Sequence, residues 1–233
     1  PIVGGCLLQA IKDVLGEAAT DEIIAAWAEA YQSLAALLIA AEEEVYRANA
    51  AQTGGWRGER EFRVARREEE SEIITSFYLE PTDGGPLLAF SPGQYLTLVL
   101  NIDGEPLRRN YSLSDAPGKP FYRISVKQEE GGRASNWLHE AATVGTLLRV
   151  QAPCGDFVLQ PAGERPRPLV LVTGGVGITP AMSMLESMAH TGRPVHFIHA
   201  ARHGGAHAFR SRVDALAARH ANVKPLYVYD APR

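Results

Sequence analysis

Arg109, Asn110, Tyr111 and Ser112 place a guanidinium, an amide, a phenol and a hydroxyl side by side at the end of a run of alternating polarity. A guanidinium can clamp a phosphate through two parallel hydrogen bonds, and a ring beside a hydroxyl suits a flat heteroaromatic group. Further on, Val172, Thr173, Gly174, Gly175, Val176, Gly177, Ile178, Thr179 and Pro180 read as a strand that enters a glycine loop and then a helix. Backbone N–H groups at the positive end of such a helix can face a pyrophosphate, and missing Cβ atoms let it come close. In this order the two segments describe a flavin seat followed by a nicotinamide seat, so redox chemistry is the expectation. Each segment alone is weak: the first also reads as an ordinary strand with a surface arginine, and the second lacks the third glycine of the dinucleotide fingerprint.

Neighbouring residues strengthen both. Tyr95, in Pro92-Gly93-Gln94-Tyr95, supplies a second aromatic. Gly132 and Ser135 lie where a glycine turn runs into a helix N-terminus, a second phosphate-binding device. Thr179 is a candidate hydroxyl donor to the nucleotide, and Pro180 suits a first helical turn. The acidic ribose-binding residue expected about 20 residues beyond the loop is replaced by Ala200-Ala201-Arg202-His203, which leaves NADH and NADPH both open. His196, His199, His203 and His207 suggest a metal site, but Gly204-Gly205 interrupts any shared helical face, and residues three apart on a strand point to opposite sides. No metal is expected.

Three kinds of element must position these residues. Leu7, Leu8, Ile11, Val14 and Leu15 form one face of a helix over residues 6–15, stopped by Gly16. Thr20 then caps a second helix, whose apolar stripe runs from Ile23 through Trp27, Tyr31 and Leu34 to about Tyr46. Its many alanines permit close helix-to-helix approach, and two helices are too few for a bundle. From Arg60 onward the period changes to alternation, with strands expected at 61–67, 73–79, 94–100, 108–113, 123–127 and 147–151. They predict a six-stranded antiparallel barrel with one helix at 135–142. After a proline-rich linker at 161–168, strands at 169–173, 195–200 and 226–229 alternate with helices at 180–190 and 207–220, the pattern of a doubly wound parallel sheet. The expected domains are 1–51, 52–163 and 164–233, the first and last incomplete, and the chain reads as an internal fragment.

Composition narrows the function classes. With 45% hydrophobic and 21% charged residues and a formal net charge of -4, the chain is a globular protein with no general attraction for nucleic acid or anionic membrane. Cys6 and Cys154 form no C-x-x-C, so neither a disulfide scaffold nor an iron–sulfur site is suggested, and a reducing cytoplasmic compartment is expected. No apolar run is read as approaching the roughly 20 residues of a membrane helix. Oligomeric state is not legible.

The barrel motifs resemble those of the ferredoxin-reductase superfamily. R-x-Y-S is met by Arg109, Tyr111 and Ser112, G-x-x-S-x-x-L by Gly132, Ser135 and Leu138, A-P-x-G-x-F by Ala152, Pro153, Gly155 and Phe157, and G-G-V-G-x-T-P by Gly174 to Pro180. The resemblance implies non-covalent FAD, with Tyr95 a flavin-contacting tyrosine, and NAD(P)H. Residues 1–56, with the W-A-E-A-Y-Q-S-L-A run, resemble the last two helices of the globin domain in the flavohemoglobin family, and the phrases Ile73 to Phe77, Pro92 to Tyr95 and Ser135 to His139 resemble phrases of the same family. That likeness implies a truncated all-α globin end, a β-barrel FAD domain and a truncated α/β NAD domain. It further implies a nitric oxide dioxygenase parent whose substrates are NAD(P)H, O2 and NO. Hydride would reduce FAD, and single electrons would reach haem b. Glu42 would then join a catalytic hydrogen-bonded relay on the proximal side of the haem, although Glu42-Glu43-Glu44 also reads as a solvated acidic helix end. The chain departs from the family in one respect: no histidine precedes His139, so it holds no axial haem ligand. A stand-alone NAD(P)H-flavin oxidoreductase and an inactive fragment are the alternatives.

Overall fold

The apolar stripe near the N-terminus folds as α1 (Ile2–Leu15), which starts earlier than expected. Gly4 lies so close to Tyr31 that an added Cβ would fall 2.6 Å from the ring, a contact only glycine permits. Gly16, at φ +55, ends the helix in the left-handed conformation expected of a glycine stop. Thr20 accepts a hydrogen bond from the Ile23 backbone at 3.4 Å and opens α2 (Asp21–Ala50), which runs past Tyr46. The computed structural model describes residues 2–160 and 167–231. By proximity they form a helical unit ending at Asn49 and a second unit from Ala50 onward.

The membrane reading of α2 needs correction. Its 30 residues include a stretch of mean hydropathy 1.5, long and apolar enough by length and composition to cross a bilayer. Alanines among the larger apolar residues hide this from a search for an unbroken apolar run. The core helix of a soluble protein satisfies the same criterion. No residue of α2 is buried, and Trp27, Leu34, Leu37, Leu38 and Ile39 are exposed.

In the second unit, β1 (Glu59–Ser71), β2 (Ile74–Pro81), β3 (Tyr95–Ile102), β4 (Glu105–Ser112), β5 (Tyr122–Lys127) and β6 (Leu147–Cys154) form an antiparallel sheet of order β4-β3-β6-β1-β2-β5. A bridge between Leu113 and Ile124 joins its two ends and closes the barrel. Alternate residues turn inward, and Phe62, Val64, Leu96, Leu98, Ile124 and Val150 are fully buried. Asp103 and Gly104, both at positive φ, make the tight hairpin from which β4 starts, earlier than alternation alone predicts. Helix α3 (Arg133–Glu140) anchors on the barrel core through Leu138. Trp56, read from sequence with the helical leader, instead donates its indole N–H to the Val150 carbonyl at 3.0 Å and packs on the barrel core.

The remaining strands, β7 (Leu169–Gly174), β8 (Val195–Ala201) and β9 (Val223–Tyr229), pair in parallel in that order. Residues 161–166 of the proline-rich linker lie outside the described residues. Helices α4 (Ile178–Met188) and α5 (Arg210–Arg219) pack on the face carrying Leu171, Phe197 and Val223. On the other face Val170, Val172, Leu226 and Val228 are exposed. The fifth helix begins at Arg210 and not near 207. Phe209 takes a left-handed conformation at φ 62, and His207 is drawn inward against His199, their ring centroids 4.5 Å apart. His196 is exposed while His199 is buried, as alternation requires, and no metal-binding group of three or more ligands occurs among the described residues.

Candidate active site

The end of β4 and the glycine loop after β7 meet across one cleft of about 490 Å³. Arg109, Asn110, Tyr111 and Ser112 line it from the barrel, Gly132 and Ser135 from the start of α3, and Val176, Gly177, Thr179 and Pro180 from the loop. A second cleft of about 420 Å³ adjoins it at the C-terminal ends of the parallel strands, lined by Gly174, Gly175, Ala200, Arg202 and Asp230. Lys127 and Val176 line both, so the two clefts share a wall. Ligands of open parallel sheets bind at this end of the strands.

The barrel side carries free donors. Arg109 donates to the Arg108 carbonyl at 2.8 Å and has no carboxylate partner among the described residues. Burial pushes the Tyr111 phenol up to about 12 against the opposing charge of Arg109, so it stays protonated. Its hydroxyl and that of Ser112 have no hydrogen-bond partner among the described residues. This set suits a diphosphate and a flavin ring. Asn110 differs, because its amide oxygen accepts the Thr97 hydroxyl at 2.8 Å and so fixes the strand more than it offers a donor. The Ser135 hydroxyl is likewise turned to its own loop, donating to the Gly132 carbonyl at 3.2 Å and accepting from the Glu129 N–H at 3.2 Å. Tyr95 sits opposite Ser112 in the strand register, and its ring covers Gly155, where an added Cβ would fall 2.8 Å from it.

The loop side departs from the expectation at two residues. Ile178 is fully buried in the core behind the loop, so only its backbone can face a nucleotide. Thr179 donates its hydroxyl to the Val176 carbonyl at 3.0 Å, stabilising the turn where a donor to the cofactor was expected. Space above Gly175 and Gly177 is open, with no atom within 4 Å of an added Cβ. Gly175 also needs its φ of +51. Pro180 falls in the first turn of α4, where its missing N–H leaves no gap.

Sequence reasoning missed Ser125, Lys127 and Glu129 on the barrel side and Asp230 on the sheet side. The alternation that placed residues 123–127 in a strand was the available signal for Ser125 and Lys127. It also missed a buried ionic cluster between barrel and sheet. Arg123, with no exposed surface, lies 3.6 Å from both Asp115 and Glu186. Arg212 and Lys119 pair with the same two carboxylates. Burial alone would raise Asp115, but a hydrogen bond from Glu186 and the charges of Arg123 and Lys119 hold it at about 2. Burial and the neighbouring Asp115 push Glu186 upward.

Residues 61–159 match the oxidoreductase FAD-binding domain family and residues 171–233 the oxidoreductase NAD-binding domain family. Flavohemoproteins of Burkholderia sp. strain TH2 and Pseudomonas aeruginosa are each 58% identical across all of this chain. The flavohem-like FAD/NAD-binding domain of a Vibrio cholerae nitric oxide dioxygenase superposes with a TM-score of 0.69 at 35% identity. That match covers 74% of this chain and 75% of that one. The chain belongs to the flavohemoprotein family. A Malassezia yamatoensis flavohemoglobin, solved with FAD and heme bound, gives a TM-score of 0.80 at 29% identity, covering 95% of this chain and 57% of that one. The chain spans 59% of the length of the two bacterial flavohemoproteins. Within the helical unit, Glu42 is exposed and accepts the Tyr46 hydroxyl at 3.1 Å, a pairing internal to α2.

Proposed function

We propose that the chain is the reductase portion of a flavohemoprotein. It would take hydride from NAD(P)H onto FAD and send single electrons to globin haem, where the parent protein converts NO and O2 to nitrate. The observation that carries this reading is the shared cleft: the phosphate-clamping strand and the glycine loop face the same space, as ring-to-ring hydride transfer requires. FAD, when bound, supplies a ring that accepts a hydride and releases electrons one at a time.

This chain's residues do the positioning. Arg109 and the start of α3 at Gly132 hold the diphosphate, Tyr111 and Tyr95 frame the ring, and Ser112 donates to it. Gly175, Val176, Gly177, Ile178 and Thr179 present backbone to the nucleotide, with Pro180 shaping the turn. Arg202 and Asp230, lining the second cleft together, are placed to meet the adenosine ribose and leave both nicotinamide cofactors open. We assign the domain limits to residues 1–51, 52–163 and 164–233. The helical unit supplies no histidine, so it does not fit haem by itself, and no step is assigned to haem within this chain. Glu42 we assign to the proximal relay of the complete globin. We place the chain in the cytoplasm, which two free cysteines suit, and assign it no nucleic-acid partner and no membrane span.

Titration with FAD followed by NADH tests the reading. The chain should bind FAD, and NADH should bleach its visible absorption. Arg109→Ala removes charge-assisted hydrogen bonds of about 1.5–3 kcal/mol and should weaken FAD binding roughly tenfold to a hundredfold, as fluorescence titration would measure. A chain that takes up FAD without being reduced by either nicotinamide would overturn the proposal.

A further inference from the structure

Three buried serine hydroxyls connect the cleft to a carboxylate that hydride transfer does not use. Ser125, 3% exposed, lines the cleft, and the Leu113–Ile124 bridge sets it opposite Ser112. Its Oγ lies 2.7 Å from Ser76 Oγ on one side and 2.7 Å from Ser114 Oγ on the other. Ser76 Oγ is 2.6 Å from a carboxylate oxygen of Glu70, and Ser114 Oγ is 3.2 Å from the Arg123 carbonyl.

A hydroxyl carries one proton. The row has four links and three hydroxyls, so only a proton on Glu70 can complete it. With Glu70 protonated, every donor points from Glu70 toward the Arg123 carbonyl. With Glu70 ionised, Ser114, Ser125 and Ser76 each turn toward it, and the Arg123 carbonyl keeps the Ser114 N–H at 2.8 Å. The row therefore has two satisfied arrangements that differ by one proton and run in opposite directions.

Glu70 is half-buried, so part of the residue meets solvent. Burial raises its carboxyl, the Ser76 hydrogen bond and Arg123 oppose that, Glu68 on the same strand adds to it, and Arg212 of α5 opposes it. On β2, Tyr78 donates to Glu68 at 2.8 Å. On β5, Lys127 is paired with Glu129 at 2.7 Å.

We propose that Glu70, Ser76 and Ser125 form a proton relay between the flavin cleft and solvent. The inference rests on the FAD reading of the cleft. A hydride brings the flavin two electrons and one proton, and when both electrons have left singly for a one-electron acceptor, that proton must leave too. It passes to Ser125 Oγ, whose own proton moves to Ser76, whose proton moves to ionised Glu70 and from there to water.

Two measurements on the FAD-loaded chain test this. In the first, the bound flavin's midpoint potential is followed against pH. The plot should break where Glu70 exchanges its proton, and Glu70→Gln should lose the break while Glu70→Asp keeps it. In the second, chain reduced with NADH is mixed with ferricyanide in weak buffer containing a pH indicator. Ser76→Ala, which cuts the row outside the cleft, should release its proton at least tenfold more slowly than the unaltered chain. A Glu70→Gln plot that superposes on the unaltered one, or prompt release from Ser76→Ala, overturns the relay while leaving the cleft reading intact. A chain that takes up no FAD overturns both.

Discussion

Replacing Arg123 by Met tests whether the buried ionic cluster holds barrel and sheet together. The guanidinium has no exposed surface and lies 3.6 Å from Asp115 and from Glu186, which is on α4. It also donates to the Ser114 carbonyl and hydroxyl, and stands 5.0 Å over the Phe209 ring. Methionine fills much of the volume but leaves two carboxylates short of a cation. Removing one partner from a buried ion pair costs about 3–5 kcal/mol. Arg212 and Lys119 remain beside the same carboxylates, so we expect about 3 kcal/mol, the low end of that range. For a unit of this size the loss lowers Tm by about 6–12 °C, measurable by calorimetry. Adding Glu186→Gln removes the excess negative charge and should recover part of the loss in a double-mutant cycle. The pH dependence has a definite sign. Asp115 is held at about 2 against 3.8 unfolded, so its contribution is present above 3.8 and is lost as pH falls toward 2. Arg123→Met should shrink that acid-dependent loss. A Tm within about 2 °C of the unaltered chain, less than 1 kcal/mol by the same scaling, would refute the reasoning.

Other residues give independent expectations. Gly93 sits at φ +110, and an added Cβ would lie 2.1 Å from the Phe157 carbonyl oxygen. Gly93→Ala should therefore lose about 2–4 kcal/mol in urea denaturation, and a change below about 1 kcal/mol contradicts the crowding. Gly177→Ala, at φ −62 with open space around it, should leave stability unchanged or raise it by about 0.4–1 kcal/mol. It should still slow flavin reduction by NADH, because the methyl occupies nucleotide space; unchanged reduction kinetics would count against the loop as the nucleotide seat. His199 is held down to about 4 by burial and then by His207. Its contribution to stability is present above its unfolded value of 6.5 and is lost as pH falls through about 4. NMR titration should show its ring neutral at pH 5, and protonation near its unfolded value contradicts that environment.

Local patterns made most of the elements legible. Alternation in the barrel and the strand–glycine–helix sequence at Val172 to Pro180 depend on side-chain periodicity and on φ preferences within a few residues, which are properties of the chain itself. Boundaries moved where a special conformation intervened, as at the Asp103-Gly104 hairpin and at left-handed Phe209.

The site divides in the same way. Arg109, Tyr111 and Ser112 were expected at the site from their types, and all three line the cleft. The structure alone decided that the Thr179 hydroxyl serves the turn, that Ile178 lies in the core, and that Asn110 is tied to Thr97. It also decided the meeting of Glu70, Ser76 and Ser125, and that of Asp115 with Glu186 and Arg212. Ser125 is 49 residues from Ser76, and Arg212 is 97 from Asp115, so these hydrogen bonds and charge pairs exist only once barrel closure and sheet packing have excluded water. Sequence carried the kind of chemistry, since side-chain type and local spacing are enough to describe a flavin seat and a nucleotide loop. Tertiary packing decided which donors stay free and which carboxylates are pushed upward or held down, because both depend on neighbours that local spacing does not encode.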